Sequence, residues 1–583
     1  MEKTLAKNSP MSKSMAVKSS TPTHLLTNLK EASHKRIRVF PMSPQDGIPS
    51  LPKRFAQVKA DLVSSNEAAV AASWGRLLKQ LREEVAIIAE ANRTVIPTID
   101  FQDLEAPPQR NIFLDELKIR GAGVIRNVVP EDEALIMKSD LNAYIADNPH
   151  TRASSPKDPH LYELYWSLAQ LKARAHPNML KAQKFAMNGC WHHSIASGTS
   201  SGGDGVDTLV DSRTRITTNF PVAYADRVHI SHRSPQEAQR FPPSLPLKAQ
   251  IDGGSVERWE ADGYGGRSQR GTYREIFTGH WENWDPWDSS TRLNTTSDLY
   301  NGASTCSVFR MFQGIFSLGT ADLQQSSSSS LPTQSPMAIC ALPVRLVTAY
   351  WLLRPFFSPR KPWVGKGQRA ADFLDQSNWD LTTSQSPILH GAQPCHSQEI
   401  NALLHPHLLL DRTLVPVPPL RPGDYVLFHP DVAYAMTPTL PTPPSATEQT
   451  PPPTPQRSRR PSSSCSSSSS APPSSTTPSS TTSTTLLYIP ACPLTQTNAL
   501  FLARQRKAFL LGFPGPDFAG GGGESFHMGR PGVQEVNEAG GEAALRATGL
   551  LAWDEDDATE GEAERTVLAA ANGILFPDSF AVR

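Results

Sequence analysis

The stretch Leu247 to Gly254, LKAQIDGG, sets apolar Leu247, Ala249 and Ile251 against polar Lys248, Gln250 and Asp252, then turns at two glycines. Residues two apart on a strand share a face, so Gln250 and Asp252 point the same way. A carboxylate with a histidine two residues before it is half of a facial triad. In that triad two imidazoles and one carboxylate bind one face of Fe(II) and leave positions open for O2 and a cosubstrate. Here the imidazole position carries an amide, a neutral oxygen donor less suited to Fe(II).

His429-Pro430-Asp431 is itself a His-x-Asp string, at the end of the predicted strand in GDYVLFHPDVAYAM. It reads either as a displaced metal pair, with His527 or His405 as a third ligand, or as a histidine packed at a rim with Asp431 capping a turn. The second reading is favoured, because a lone histidine beside an apolar strand is usually structural. His405 and His407 in HPHLLL read as structural on the same grounds. Arg310 in VFRMF and Arg354 in LLRPFF set a guanidinium among apolar residues, which demands a partner. Its fork suits a carboxylate. Arg258 and Arg504 are further candidates, and ion pairs with Glu257, Glu260 or Asp298 are the structural alternative. ERWE and HWENWDPWD offer aromatics and acids near the Asp252 strand, as pocket lining or as core tryptophans. GGGGES lacks the pattern of a phosphate loop.

The elements that must position these residues read as α+β. Residues 53–94 carry helical spacing. GAGVIRNVVP reads as a strand, and Pro130 with Glu131, Asp132 and Glu133 opens a helix to about Ile145. Residues 165–188 read as two helices broken near Pro177. From about 218 to 435 the pattern is short strands and turns, with AYADRVHI, LKAQIDGG, STCSVFRMFQGIFSL, VRLVTAYWLLRPFF and GDYVLFHPDVAYAM the clearest. LLYIPACPL reads as a buried strand and NALFLARQRKAFLLG as a helix ending at Gly512. The organisation that follows is a disordered basic tail over 1–50, a helical part with the first strand over 51–200, and a β core over 201–436. A polar insert lies at 324–336. A Ser/Thr/Pro-rich insert covers 437–485, with RSRR at 457–460, and 486–583 holds the last strand with C-terminal helices and loops.

Composition narrows the function classes. Lys plus Arg and Asp plus Glu both total 56, so no global field favours nucleic acid or an anionic membrane. The 52 prolines and 38% hydrophobic content point to a folded part smaller than the 583-residue chain. The six cysteines form no CxxC, which argues against a zinc ribbon or disulfide scaffold and for a reduced, cytoplasmic setting. The basic, Ser/Thr-rich start lacks a secretory apolar region and leaves a mitochondrial address as the alternative. No apolar run is long enough for a membrane span.

Several strings resemble the domain-of-unknown-function family numbered 1479, a bacterial and fungal family that looks like a branch of the non-haem Fe(II)/2-oxoglutarate oxygenases. They are GAGVIRNVVPEDEA, YWSLAQLKARAHPNML, IDGGSVERWE, DLYNGASTCSVFRMFQG, AYWLLRPFF, HPHLLL, RPGDYVLFH, YIPACPLTQTNALFLARQR, PGPDFAGG and GESFHMGR. The resemblance implies a double-stranded β-helix, a jelly-roll barrel, flanked by helices. It implies Fe(II) and 2-oxoglutarate as cofactors and hydroxylation of a small molecule. The iron ligands implied are Asp252 with histidines at the positions of Gln250 and Tyr434, so this chain keeps one of three. Arg310 or Arg354 is implied as the holder of the 2-oxoglutarate carboxylate. Loss of two ligands leaves a second reading open, a barrel kept as a binding or scaffold module.

Overall fold

The computed structural model describes residues 50–580 except 152, 156–157, 195–214, 234–247, 267–270, 294, 303–304, 321–334, 364–369, 437–481, 519 and 521. The basic tail, the RSRR run and nearly all of both predicted inserts fall outside the described residues.

The described chain is α+β. It opens with helices α1 (Arg54–Val63) and α2 (Glu67–Ala91). Strand β1 (Thr98–Asp100), helix α3 (Pro107–Arg120) and strand β2 (Ala122–Arg126) follow. Pro130 precedes α4 (Glu131–Asp147), whose first turn carries the three acids that suit a helix N-terminus. After β3 (Ala153–Ser155) and β4 (Asp158–Tyr162), Pro177 separates α5 (Leu168–Ala175) from α6 (Pro177–Cys190), because proline suits a first helical position.

The strands then come in quick succession: β5 (Ile216–Val222), β6 (Val228–Arg233), β7 (Lys248–Ile251), β8 (Gln313–Thr320) and β9 (Met337–Cys340). VRLVTAYWLLRPFF, predicted as a strand, is instead helix α7 (Val344–Leu353) followed by a single 3-10 turn. Its run is apolar all round and every residue from Leu346 to Leu353 is buried, so no amphipathic period marks it. A uniformly buried run does not distinguish helix from strand by pattern. Next come β10 (Phe357–Pro359), β11 (Trp379–Leu381), β12 (Gln398–Asn401), β13 (Leu414–Pro416), β14 (Tyr425–Phe428) and β15 (Tyr434–Met436). Strand β16 (Thr482–Tyr488) starts four residues inside the stretch assigned to the Ser/Thr/Pro insert, since its first threonines pair with β6. Strand β17 (Cys492–Thr495) leads into α8 (Gln496–Leu511), α9 (Val533–Ala547) and α10 (Glu562–Leu575).

The main sheet has the order β1-β2-β14-β8-β16-β6-β4-β3, and a second has the order β12-β7-β15-β9-β13. Successive strands alternate between them: β6 in the large sheet, β7 in the small one, β8 large, β9 small, then β14 large, β15 small and β16 large. Among the described residues no ladder joins the two sheets, so no closed barrel is formed. Among those residues the large sheet ends on β1 and β3 and the small one on β12 and β13, and none of these four end strands pairs with the other sheet. One continuous apolar core, with Trp74, Trp259, Trp281 and Trp351 almost fully enclosed, fills the space under both sheets. A second cluster lies under α8, α9 and α10.

The RPGD turn anchors β14. Gly423 has φ of +89°, and a Cβ there would sit 2.0 Å from the Val129 carbonyl oxygen. The fully buried Asp424 carboxylate accepts from the Arg126 guanidinium, from Asn127 N at 3.2 Å and from Arg421 N at 2.7 Å. Replacing Asp424 by alanine strands that guanidinium and two amides, so urea unfolding should show a loss of about 2–4 kcal/mol.

Candidate functional site

Strand β7 carries Gln250 outward on the same face as Asp252, and β15 brings Tyr434 directly opposite Gln250 in the antiparallel register. Three side chains therefore meet. Gln250 Nε2 donates to Asp252 Oδ1 at 2.9 Å and to the Tyr434 hydroxyl at 3.0 Å. Tyr434 in turn donates to Asp252 Oδ2 at 2.6 Å. Just before β12, Ser397 Oγ donates to Asp252 Oδ1 at 3.0 Å. Burial, and then the field of the Asp252 carboxylate, push the Tyr434 phenol well above its ordinary pKa. The spatial expectation from sequence holds: the carboxylate at 252 and the phenol at 434 converge.

The turn after Asp252 is pinned from below. Arg258 donates to the carbonyls of Asp252 at 3.1 Å and Gly254 at 2.6 Å. Gly253 has φ of +85°, and a Cβ there would lie 3.1 Å from Arg310 Nη2. Arg310 thus passes over the glycine into a cavity of about 550 Å3, whose wall includes Tyr224, Asp252, Arg310, Tyr434 and Tyr488. Burial opposes its charge, but the nearby ionisable groups Cys306, Asp252, Tyr224 and Cys492 raise its pKa overall. Its guanidinium has no hydrogen-bond or ion-pair partner among the described residues. The acids proposed as structural partners lie elsewhere: Glu260 pairs with Arg54 at 2.6 Å, Glu257 accepts from Ser255 N, and Asp298 accepts from Tyr300 N.

The other candidates are not brought to this cavity. Arg354 donates to the Phe357 carbonyl at 2.9 Å and lies 4.7 Å over Trp379, within the core. Arg258 serves the turn, and Arg504 is exposed on α8. His429 is fully buried, accepts the Asp431 amide on Nδ1, approaches the Pro286 carbonyl through Nε2 at 2.9 Å and stacks on Trp191. Its partner Asp431 receives Arg292 at 2.6 Å and the Tyr273 hydroxyl at 2.8 Å. His405 meets the Asn401 amide, His407 meets the Tyr350 hydroxyl, and His527 meets Tyr144. The displaced-metal reading of His429 and Asp431 with His527 or His405 therefore fails on placement. Among the described residues no three His, Cys, Asp or Glu are grouped to hold a metal ion. Sequence reasoning missed Ser397 and Arg292. Neither sits in a motif, and only the fold brings them to Asp252 and Asp431.

The donor set answers whether Fe(II) fits. Asp252 spends three acceptor positions on Gln250, Ser397 and Tyr434, Gln250 turns its amide nitrogen inward, and Tyr434 keeps its proton. These residues do not fit the iron that the sequence resemblance implies.

A Gig2-like family model matches residues 49–547. The chain belongs to the Gig2-like family. Its relative YbiU of Escherichia coli K12 is 27% identical over 384 residues, 62% of this chain and 75% of that protein. The crystal structure of GlcNAc Inducible Gene 2 (DUF1479) of Candida albicans superposes with a TM-score of 0.65 at 21% identity, covering 91% of this chain and 96% of the other. A Salmonella typhimurium LT2 protein provisionally named an oxidoreductase superposes with a TM-score of 0.56 at 22% identity, covering 85% and 98%. At these identities the structural likenesses establish the fold. No described helix of this Gig2-like chain is long and apolar enough to cross a membrane.

Burial would raise the pKa of Asp431, but Arg292, His429 and Arg258 outweigh it and hold it at about 2. The folded value lies below the unfolded one, so this contribution is complete above pH 4 and lost as pH falls toward 2. Its size is about 2–3 kcal/mol. Asp431→Asn should cost about 3–5 kcal/mol at neutral pH and flatten the acid limb of a urea-unfolding series taken from pH 7 to pH 2.

Proposed function

We propose that this Gig2-like chain is a double-stranded β-helix that binds a small organic carboxylate in the 550 Å3 cavity, with Arg310 as the anion holder and no oxygen chemistry at iron. Strand order supports the fold reading. Counted from β6 through β9 and then from β13 to β16, the eight strands take the order 1-8-3-6 in the large sheet and 2-7-4-5 in the small one. This is the alternation of a jelly roll.

One observation carries the functional reading: the residues at the triad position bond to one another, while the guanidinium beside them has no hydrogen-bond or ion-pair partner among the described residues. A partly desolvated guanidinium seeks a bidentate anion, and a concave site with few polar groups is the usual form of a small-molecule pocket. Ser397, Gln250 and Tyr434 orient the Asp252 carboxylate. Tyr434 is a neutral hydrogen-bond donor whose proton points at Asp252.

Hydroxylation by an Fe(II)/2-oxoglutarate oxidoreductase is the second reading, favoured by the position of Asp252 at the end of β7 opposite β15. The two separate in one preparation. Protein loaded anaerobically with Fe(II) and 2-oxoglutarate should show no visible charge-transfer band and, once O2 is admitted, no oxoacid turnover above a protein-free control. Small carboxylates should raise its melting temperature, and Arg310→Met should abolish that rise. The double variant Gln250→His/Tyr434→His should acquire Fe(II) binding. Oxoacid turnover by the unaltered chain would favour the oxygenase.

A further inference from the structure

The charges around the cavity can be paired off. Asp226 meets Arg227 at 3.3 Å, and Lys248 meets Glu399 at 3.3 Å. Two charges on the same wall are left outside ion pairs among the described residues: the carboxylate of Asp252 and the guanidinium of Arg310. They are close enough to feel each other's field without touching. Among the described residues Asp252 receives only neutral donors, two on Oδ1 and one on Oδ2. A carboxylate offers about four acceptor sites, so one on Oδ2 remains for a donor from the cavity.

In a facial triad the metal's charge offsets the carboxylate. Here Gln250 and Tyr434 bring no charge, and compensation for Asp252 must come with the ligand. A dicarboxylate would set two negative charges against one guanidinium and leave one facing Asp252. A simple monocarboxylate would satisfy Arg310 and bury Asp252 without a counter-charge. A molecule with one anionic and one cationic group answers both. We propose that the ligand is a zwitterionic amino acid, its carboxylate on Arg310 and its ammonium on Asp252. This rests on the carboxylate-binding reading above and narrows it to one chemical class.

Calorimetric titration of the full chain tests it, using the proteinogenic L-amino acids, each against the 2-oxo acid that carries the same side chain. The pair differs only in ammonium against carbonyl. At least one amino acid should bind about tenfold or more tightly than its oxo acid, the scale of a single charge-assisted contact. Arg310→Met should remove binding. Asp252→Asn, nearly isosteric and checked by its melting curve, should bring the two members of the pair to about equal affinity. Oxo acids that bind as well as or better than the amino acids, and still require Arg310, would overturn the amino-acid assignment and leave carboxylate binding standing. Binding of neither class, or binding indifferent to Arg310→Met, would overturn both. The affinity ratio in the unaltered chain needs no variant to fold.

Discussion

The contact on which the site depends is the pairing of Gln250 with Tyr434 across β7 and β15. It is short, one residue pair, and it sets a phenol and an amide against the same carboxylate. Once Tyr434 donates to Asp252, its oxygen can only accept from Gln250, and Gln250 must turn its nitrogen inward. Each hydrogen bond fixes the direction of the next. A buried polar group left without a partner costs about 1–3 kcal/mol, so this closed arrangement is favoured over any that opens one member.

Beneath it lies a second polar layer that holds the backbone still. Arg258 clamps the carbonyls around the two-glycine turn and lies 3.9 Å from Asp431, which also receives Arg292 and Tyr273. The His-x-Asp string at 429–431 is therefore a support for the site rather than a rival to it. Its charges are enclosed by Trp191, Trp287 and Tyr273, and they are balanced internally. Burial of charge without a partner is costly. That is the physical difference between Asp431, in contact with two arginines, and Asp252, in ion-pair contact with none among the described residues.

Much of this was legible in the residues. Period-two spacing in LKAQIDGG placed Gln250 and Asp252 on one face, Pro130 and Pro177 marked helix starts, and the family resemblance marked position 434. VRLVTAYWLL was not legible, because a run buried on all sides has no polar face to reveal its period. The choice between Arg310 and Arg354 was not legible either. Both sit among apolar residues in sequence, yet one lies by Gly253 and lines the cavity while the other lies over Trp379.

By itself the sequence determined the local elements and which residue types stand where a metal would be held. Local propensity and side-chain alternation act over a few residues, and those are written in order along the chain. Only the tertiary structure decided which charges meet a partner. Asp252, Ser397 and Tyr434 are separated by more than a hundred residues at the extremes, and Arg310 owes its lack of a partner among the described residues to where strands from two sheets come to lie. Electrostatic compensation depends on distance through space, which the order of residues does not record.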